Sequence, residues 1–445
     1  MRCPALIRAG LASLMLALVI PAAPAAADSI AYIKGGDVWL ATPDGTRQVQ
    51  VTRTGGYAYV SQADDGTMIA LAPRERLHRL SRTGEVLADF ATFVSDGAPT
   101  SGPVNEFHGP FAPEISPDGK LVAFEWFNES YENGNNCTTS SVPPCQVLTS
   151  RHGVGVTRSD GFTGFEEFGL MTGWIAPTWT SNTTLLRSGS GVSMNEDAVF
   201  TTVGQGKGDS ELKRWFWDER GIGVDEVEMT RDGHAVVGIA GFSDEFLRVY
   251  RPLFDPATAP AQDMRAFAKN TPVVEQCLEF TGPAGGRFET PTFAPDGRGL
   301  AWAAGDGVHV TTVPDLASGC APAQAERLVL PGARFPDWGP ADVPTPVTVA
   351  ASRTRLATAL RRGLPVTVHG PAGARVGVTA VVRRGVAGSG TARLGTAGTA
   401  TVRVRFTARA RRTLSAARSV RVTLRATLKA AGAASSGGAT TLTLR

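Results

Sequence analysis

Six positions in this 445-residue chain carry side chains that could act together: Ser61, Glu114, Thr178, Glu228, Thr292 and Asp337. Five of them stand four places before the first residue of a recurring turn, at Asp65, Asp118, Asn182, Asp232 and Asp296. The sixth, Asp337, belongs to a matching stretch, ARFPDWGPADVP, at 333–344. Carboxylates alternate with hydroxyls along this series. Drawn into a circle, such groups offer oxygen ligands to a cation or acceptors to a basic peptide. The competing role is internal, because carboxylates and hydroxyls also satisfy backbone N–H groups on neighbouring strands.

Other groups point to chemistry less directly. The polar insert FNESYENGNNCTTSSVPPC (127–145) has Glu129, Glu132, Asn133 and Asn135 as oxygen ligands for calcium, but not at EF-hand spacing. The cluster WFWDERGIG (215–223) mixes aromatic rings with charge, as a binding lip or as packing. The six histidines, His78, His108, His152, His234, His309 and His369, are scattered, and structural roles are expected for His108 and His309. No G-x-S-x-G elbow, H-E-x-x-H or P-loop occurs. No cofactor is therefore expected, calcium being the one ion the oxygen donors suit.

The elements that must position the six residues are short strands. The stretches YAYVSQADDGTMIALA (57–72), APEISPDGKLVAFEWF (112–127), APTWTSNTTLLRSG (176–189), EVEMTRDGHAVVGIAG (226–241) and TPTFAPDGRGLAWAA (290–304) share one plan. A strand meets a tight turn and an apolar strand follows. In the second, Pro117 presets φ, Asp118 bonds to its own backbone and Gly119 takes positive φ without steric cost. The turns recur at steps of 53, 64, 50 and 64 residues, a spacing typical of propeller blades. A third strand follows in RVYRPL (248–253) and GVHVTTV (307–313). The stretch at 333–344 lacks outer strands, and the hairpin IAYIKGGDVWLATPDG (30–45) lacks an inner one. Joining them makes six blades and closes the ring, which removes exposed edges.

These inner hairpins, with their x-P-x-[aromatic or aliphatic]-S-P-D-G pattern, resemble the TolB-like family of WD-like propellers over about 28–344. The third repeat lacks Asp-Gly, and the first has Gln62 where an apolar residue is usual. The resemblance implies a protein-, peptide- or ligand-binding platform rather than an enzyme. The alternative is a propeller hydrolase or lyase acting on a sugar or lactone, with a metal held by the channel carboxylates.

The ends of the chain differ from the body. Arg2, Arg8, an apolar run from Gly10 to Ile20 and an Ala25-x-Ala27 site predict a cleaved signal peptide at 1–27. The protein is then secreted or held at the cell surface or envelope, with no transmembrane segment after cleavage. Four cysteines remain, Cys137, Cys145, Cys277 and Cys320, and proximity pairs the first two and the last two. From 345 to 445 there are 18 Lys and Arg and no Asp or Glu, so the tail carries about +18 and the body about −17. Its alternating runs at VTV, TVRVRF and VRVTLRATL predict a small β-sandwich. It resembles the Arg-rich immunoglobulin-like modules of exported actinobacterial proteins, without the cysteine pair those often carry near His369 to Ala374. The expected fold class is all-β, a six-bladed propeller followed by that sandwich. Expected partners of this monomer are an envelope protein, a peptide or an anionic wall polymer. Nucleic acid is not expected, since Phe406 is the tail's one aromatic residue.

Overall fold

A computed structural model of the chain describes residues 28–92, 104–131, 147–168, 176–188, 198–204, 213–216, 224–241, 245–255, 258, 260, 271–282, 287–344, 347–370, 373–383, 385–429 and 436–445. Residues 1–27, with the expected signal peptide, lie outside this set, as do Cys137 and Cys145, the tip of the insert and residues 217–223 of the aromatic cluster.

Six four-stranded antiparallel sheets form the blades of a closed ring. Blade 1 runs from its inner strand Tyr59–Gln62 to Val86–Ala91, and blade 2 from Val104–Ile115 to Glu166–Phe168. Blades 3, 4 and 5 start at the inner strands Ala176–Trp179, Val224–Met229 and Glu289–Phe293. Blade 6 is composite. Its inner strand Arg334–Gly339 pairs with Ser29–Lys34, and Asp37–Ala41 and Gln48–Gln50 complete the sheet. The expected joining of the stretches at 30–45 and 333–344 therefore closes the ring. The fourth, outermost strand in each blade is an element the sequence pattern does not announce.

The turns explain why these stretches become hairpins. Gly119 sits at φ +72° and its N–H donates to the Ser116 carbonyl at 2.8 Å. Asp118 accepts from the Lys120 N–H at 3.2 Å and from the Ser116 hydroxyl at 2.9 Å. Gly66, Gly233 and Gly297 repeat the left-handed conformation at +80°, +74° and +71°. In blade 3, where Asp-Gly is missing, Asn182 accepts from the Asp118 N–H of the preceding blade at 3.0 Å.

Period-2 alternation feeds two interfaces at once, because both faces of a blade are covered. Ile30 and Tyr32 pack with Ala301 and Trp338 toward blade 5, whereas Ala31 and Ile33 pack with Val60 and Met68 of blade 1. The seam between blades 6 and 1 adds a buried polar cluster to this apolar packing. Gln62 donates from Nε2 to the carbonyls of Ser29 at 2.9 Å and Asp337 at 2.6 Å. Buried Arg82 donates to Gln62 Oε1, Ser29 Oγ and the carbonyls of Ala341 and Asp342. This accounts for the departure at Gln62: an amide there ties the first and last strands of the ring to blade 1.

The tail forms one seven-stranded antiparallel sheet around a single apolar core. The order is Thr348–Ala351, Leu364–His369, Thr399–Phe406, Gly385–Arg393, Arg375–Val382, Val420–Lys429 and Ser436–Leu444. Its first and last strands approach, with Gly438 packed on the Val347 carbonyl and the Leu356 N–H donating to the Arg445 carbonyl at 2.7 Å. The two layers expected of a sandwich are thus one sheet curled into a nearly closed barrel.

Candidate functional site

The six aligned residues meet. Ser61, Glu114, Thr178, Glu228, Thr292 and Asp337 all line one cavity of about 320 Å³ inside the ring, on the side of the turns. Glu114, Thr178, Glu228, Thr292 and Asp337 also line a second cavity, of about 340 Å³, on the opposite side. They form the waist of a channel with two mouths.

Their hydrogen bonds follow one rule around most of the ring. The side chain at the waist accepts from the backbone N–H of the next blade, one residue beyond that blade's own waist position. Ser61 accepts from Ile115 at 3.2 Å, Glu228 from Phe293 at 2.7 Å, Thr292 from Trp338 at 3.2 Å and Asp337 from Gln62 at 2.5 Å. Thr178 instead donates to the Val227 carbonyl at 2.8 Å. Glu114 takes two hydroxyl donors, Tyr59 and Ser61, each at 2.8 Å. The internal role weighed from sequence is therefore real. It leaves capacity unused, since each carboxylate has about four lone-pair sites.

The electrostatics are out of balance. Burial pushes the Glu114 carboxyl well above its ordinary range, and the Asp337 charge adds to this. Burial raises Glu228 to about 8 and Asp337 to about 6. Tyr59 moves well above 10 through burial and the adjacent Glu114. Arg231 is the one cation among the residues lining either cavity, against six carboxylates: Asp64, Glu114, Glu125, Glu226, Glu228 and Asp337.

Two of those six, Glu125 and Glu226, escape the sequence alignment. Glu226 lies two places before Glu228 and reaches the second mouth through a β-bulge. The pairing slips between Asp225 and Glu228, and Glu226 takes φ +48°. The same slip sets Ala112, Thr290 and Phe335 at +40°, +42° and +50°. Three of these four positions precede a proline, and that X-Pro pattern is the signal that marks the bulge. Glu125 comes from the second strand of blade 2, opposite Phe111 at the bulge. Burial raises Glu125 to about 8 and Glu226 to about 7, and each feels neighbouring negative charge. Tyr59, Phe111, Phe335 and Pro113's counterparts Pro177, Pro291 and Pro336 complete an apolar, aromatic rim around these carboxylates.

The channel carboxylates are not gathered on one point. Among the described residues, the group of three potential ligands with all donor atoms within 4.8 Å is Glu275, Cys277 and Cys320. Its two cysteines form a disulfide between the outer strand of blade 4 and a loop of blade 5, the second of the two expected bridges. The expected Cys137–Cys145 bridge and the calcium-ligating side chains of the insert lie outside the described residues. His108 stacks on Phe127 at 4.3 Å and His309 bonds to Asp306 at 2.7 Å, and neither lines the channel.

No protein-family profile and no curated protein sequence matches the chain. Solved structures do resemble it. TolB from Acinetobacter baumannii aligns with TM-score 0.40 and 13% identity over 70% of this chain and 66% of that one, just under two thirds. The β-propeller domain of Cps50 (Swd1) from Myceliophteria thermophila gives 0.37 and 9% over 66% and 82%. A chain of the mitotic checkpoint complex gives 0.36 and 12% over 62% and 83%. No helix among the described residues is long and apolar enough to cross a membrane.

Proposed function

We propose that this chain is an exported, non-catalytic propeller platform whose central channel receives a cationic group from a protein or peptide partner in the cell envelope. One observation carries the reading: six carboxylates and a single arginine line the two cavities. Ionising several buried acids side by side is unfavourable, and an entering cation removes that penalty. With Glu125, Glu226 and Glu228 raised to about 7–8, an entering cation ionises acids that are largely protonated in the free chain at neutral pH, so binding releases protons and strengthens as pH rises.

The second mouth favours an organic cation over a bare ion. Its carboxylates are spread around the ring, and its aromatic rings suit a guanidinium or ammonium by cation–π attraction, as the chain's own Arg334 over the Phe335 ring at 4.6 Å illustrates. A cavity near 340 Å³ holds one or two side chains, not a folded domain. The arginine-rich tail, with no acidic residue, serves as a spacer or as a contact to anionic wall polymer.

The test is fluorescence polarisation of a labelled Arg-Gly repeat peptide with the full mature chain at physiological salt. The same peptide with citrulline, a neutral isostere of arginine, is the control. Saturable binding of the arginine peptide, lost in Glu114→Gln and Glu228→Gln and kept in the exposed control Glu326→Gln, is the expected result. Equal binding by all variants would mean that the acidic body attracts cations generally and that the channel is not the site.

A further inference from the structure

Arg231 and Asp64 belong to the turns of blades 4 and 1, which lie three steps apart in either direction around a six-membered ring. They are diametrically opposed. Nevertheless they touch. Arg231 Nη1 donates to Asp64 Oδ2 at 3.0 Å, and Nη2 donates to Asp64 Oδ1. This forked pair therefore spans the turn-side mouth, and both residues line the cavity beneath it.

Beneath the pair, Glu228 and Asp337 present carboxylates to the same cavity. Arg231 stands only three residues beyond Glu228, so its side chain is tethered beside them. The two sets of acceptors compete for one guanidinium. Their mutual influence is already visible: the Arg231 charge holds Glu228 and Asp337 below where burial alone would put them. The rim pair is half-exposed, at 51% and 42% of the side-chain surface, so solvent screens it and it opens readily.

We propose that Arg231 is a strap, anchored by Asp64 across the turn-side mouth, and that it is the resident competitor of the incoming cation for the waist carboxylates. Ligand then enters by the aromatic mouth on the opposite side. Asp64 keeps the guanidinium up at the rim and so preserves an acidic waist for the partner. This rests on the cation-binding reading above, and it adds which mouth is used and which residue sets the affinity.

Two substitutions in the full mature chain should act in opposite directions on the arginine peptide. Arg231→Gln removes the competitor and should tighten binding roughly two- to fivefold, the range an exposed ion pair supports. Asp64→Asn releases the guanidinium onto Glu228 and Asp337 and should weaken binding by a similar factor. The double variant should behave like Arg231→Gln. Both substitutions shifting affinity in the same direction, or neither shifting it, would overturn the strap. A readout without ligand separates this from the parent proposal. Carbon-13 NMR of labelled glutamate should show the Glu228 titration moving up in Arg231→Gln and down in Asp64→Asn. If the wild-type chain binds no peptide but these shifts appear, the cation-receptor reading fails and the strap stands as a structural element. Unmoved titrations in both variants would refute the strap even if the peptide binds.

Discussion

Glu228→Gln isolates the electrostatic strain at the waist. The amide keeps an oxygen acceptor for the Phe293 N–H, which the carboxylate meets at 2.7 Å, so local geometry is retained. What disappears is the titration. Burial lifts the folded carboxyl from 4.5 to about 8. A raised folded value means that the group's full stability contribution is present below about pH 4.5 and is lost as pH climbs to about 8. At 1.36 kcal/mol per unit, the loss amounts to about 5 kcal/mol above pH 8 and about 3 kcal/mol at pH 7, with solvent in the channel trimming both. The glutamine variant does not suffer this loss. It should match the wild type near pH 4.5 and become progressively more stable than it up to pH 8.5. For a chain of this size that corresponds to a gap in Tm of roughly 5–10 °C at the alkaline end. Thermal unfolding followed by tryptophan emission is a clean assay, because all eight tryptophans precede residue 345 and none reports on the tail. A gap that stays flat from pH 5 to pH 8.5, or a variant that melts first at pH 8.5, would refute the claim that Glu228 is held in an unfavourable ionised environment.

Two further outcomes follow from the same structure. Arg82→Met should cost about 2–4 kcal/mol in denaturant unfolding, because it removes the donor to the Asp342 carbonyl and leaves Gln62 Oε1 and the Ala341 carbonyl to share the single Ser29 hydroxyl at the closing seam; a loss under about 1 kcal/mol would show that the seam is held by apolar packing alone. A chain ending at Pro344 should unfold, by tryptophan emission, within about 1 kcal/mol of the full chain, since the blades and the tail sheet have separate apolar cores; a larger fall would mean that the tail supports the ring.

Much of the molecule was legible because its instructions are local. Asp118-Gly119 and its siblings dictate tight turns through φ preference and side-chain hydrogen bonds, whatever surrounds them. The matching of the half-blades at 30–45 and 333–344 needed only the count of missing strands. Alignment on the turns placed five of the six waist residues, because a fixed offset along an extended strand is a fixed distance, and the matching stretch at 333–344 supplied Asp337. Glu226 and Glu125 were hidden for the converse reason. A β-bulge changes register, so the offset rule no longer says which side chain faces inward, and Glu125 arrives from a second strand.

What the sequence by itself determined is the hairpin, its repetition and the direction of each repeat's polar residue. What only the tertiary structure decided is the company those residues keep. Gln62 looked like a flaw in a repeat and is the polar tie of the ring's seam. Arg231 lies on a turn 167 residues from Asp64, and no local pattern pairs the two. Closure of six blades brings the two together across the channel. The physical reason is range: turn chemistry acts over three or four residues of backbone, whereas charge and burial act through space, and space is fixed only once the ring has closed.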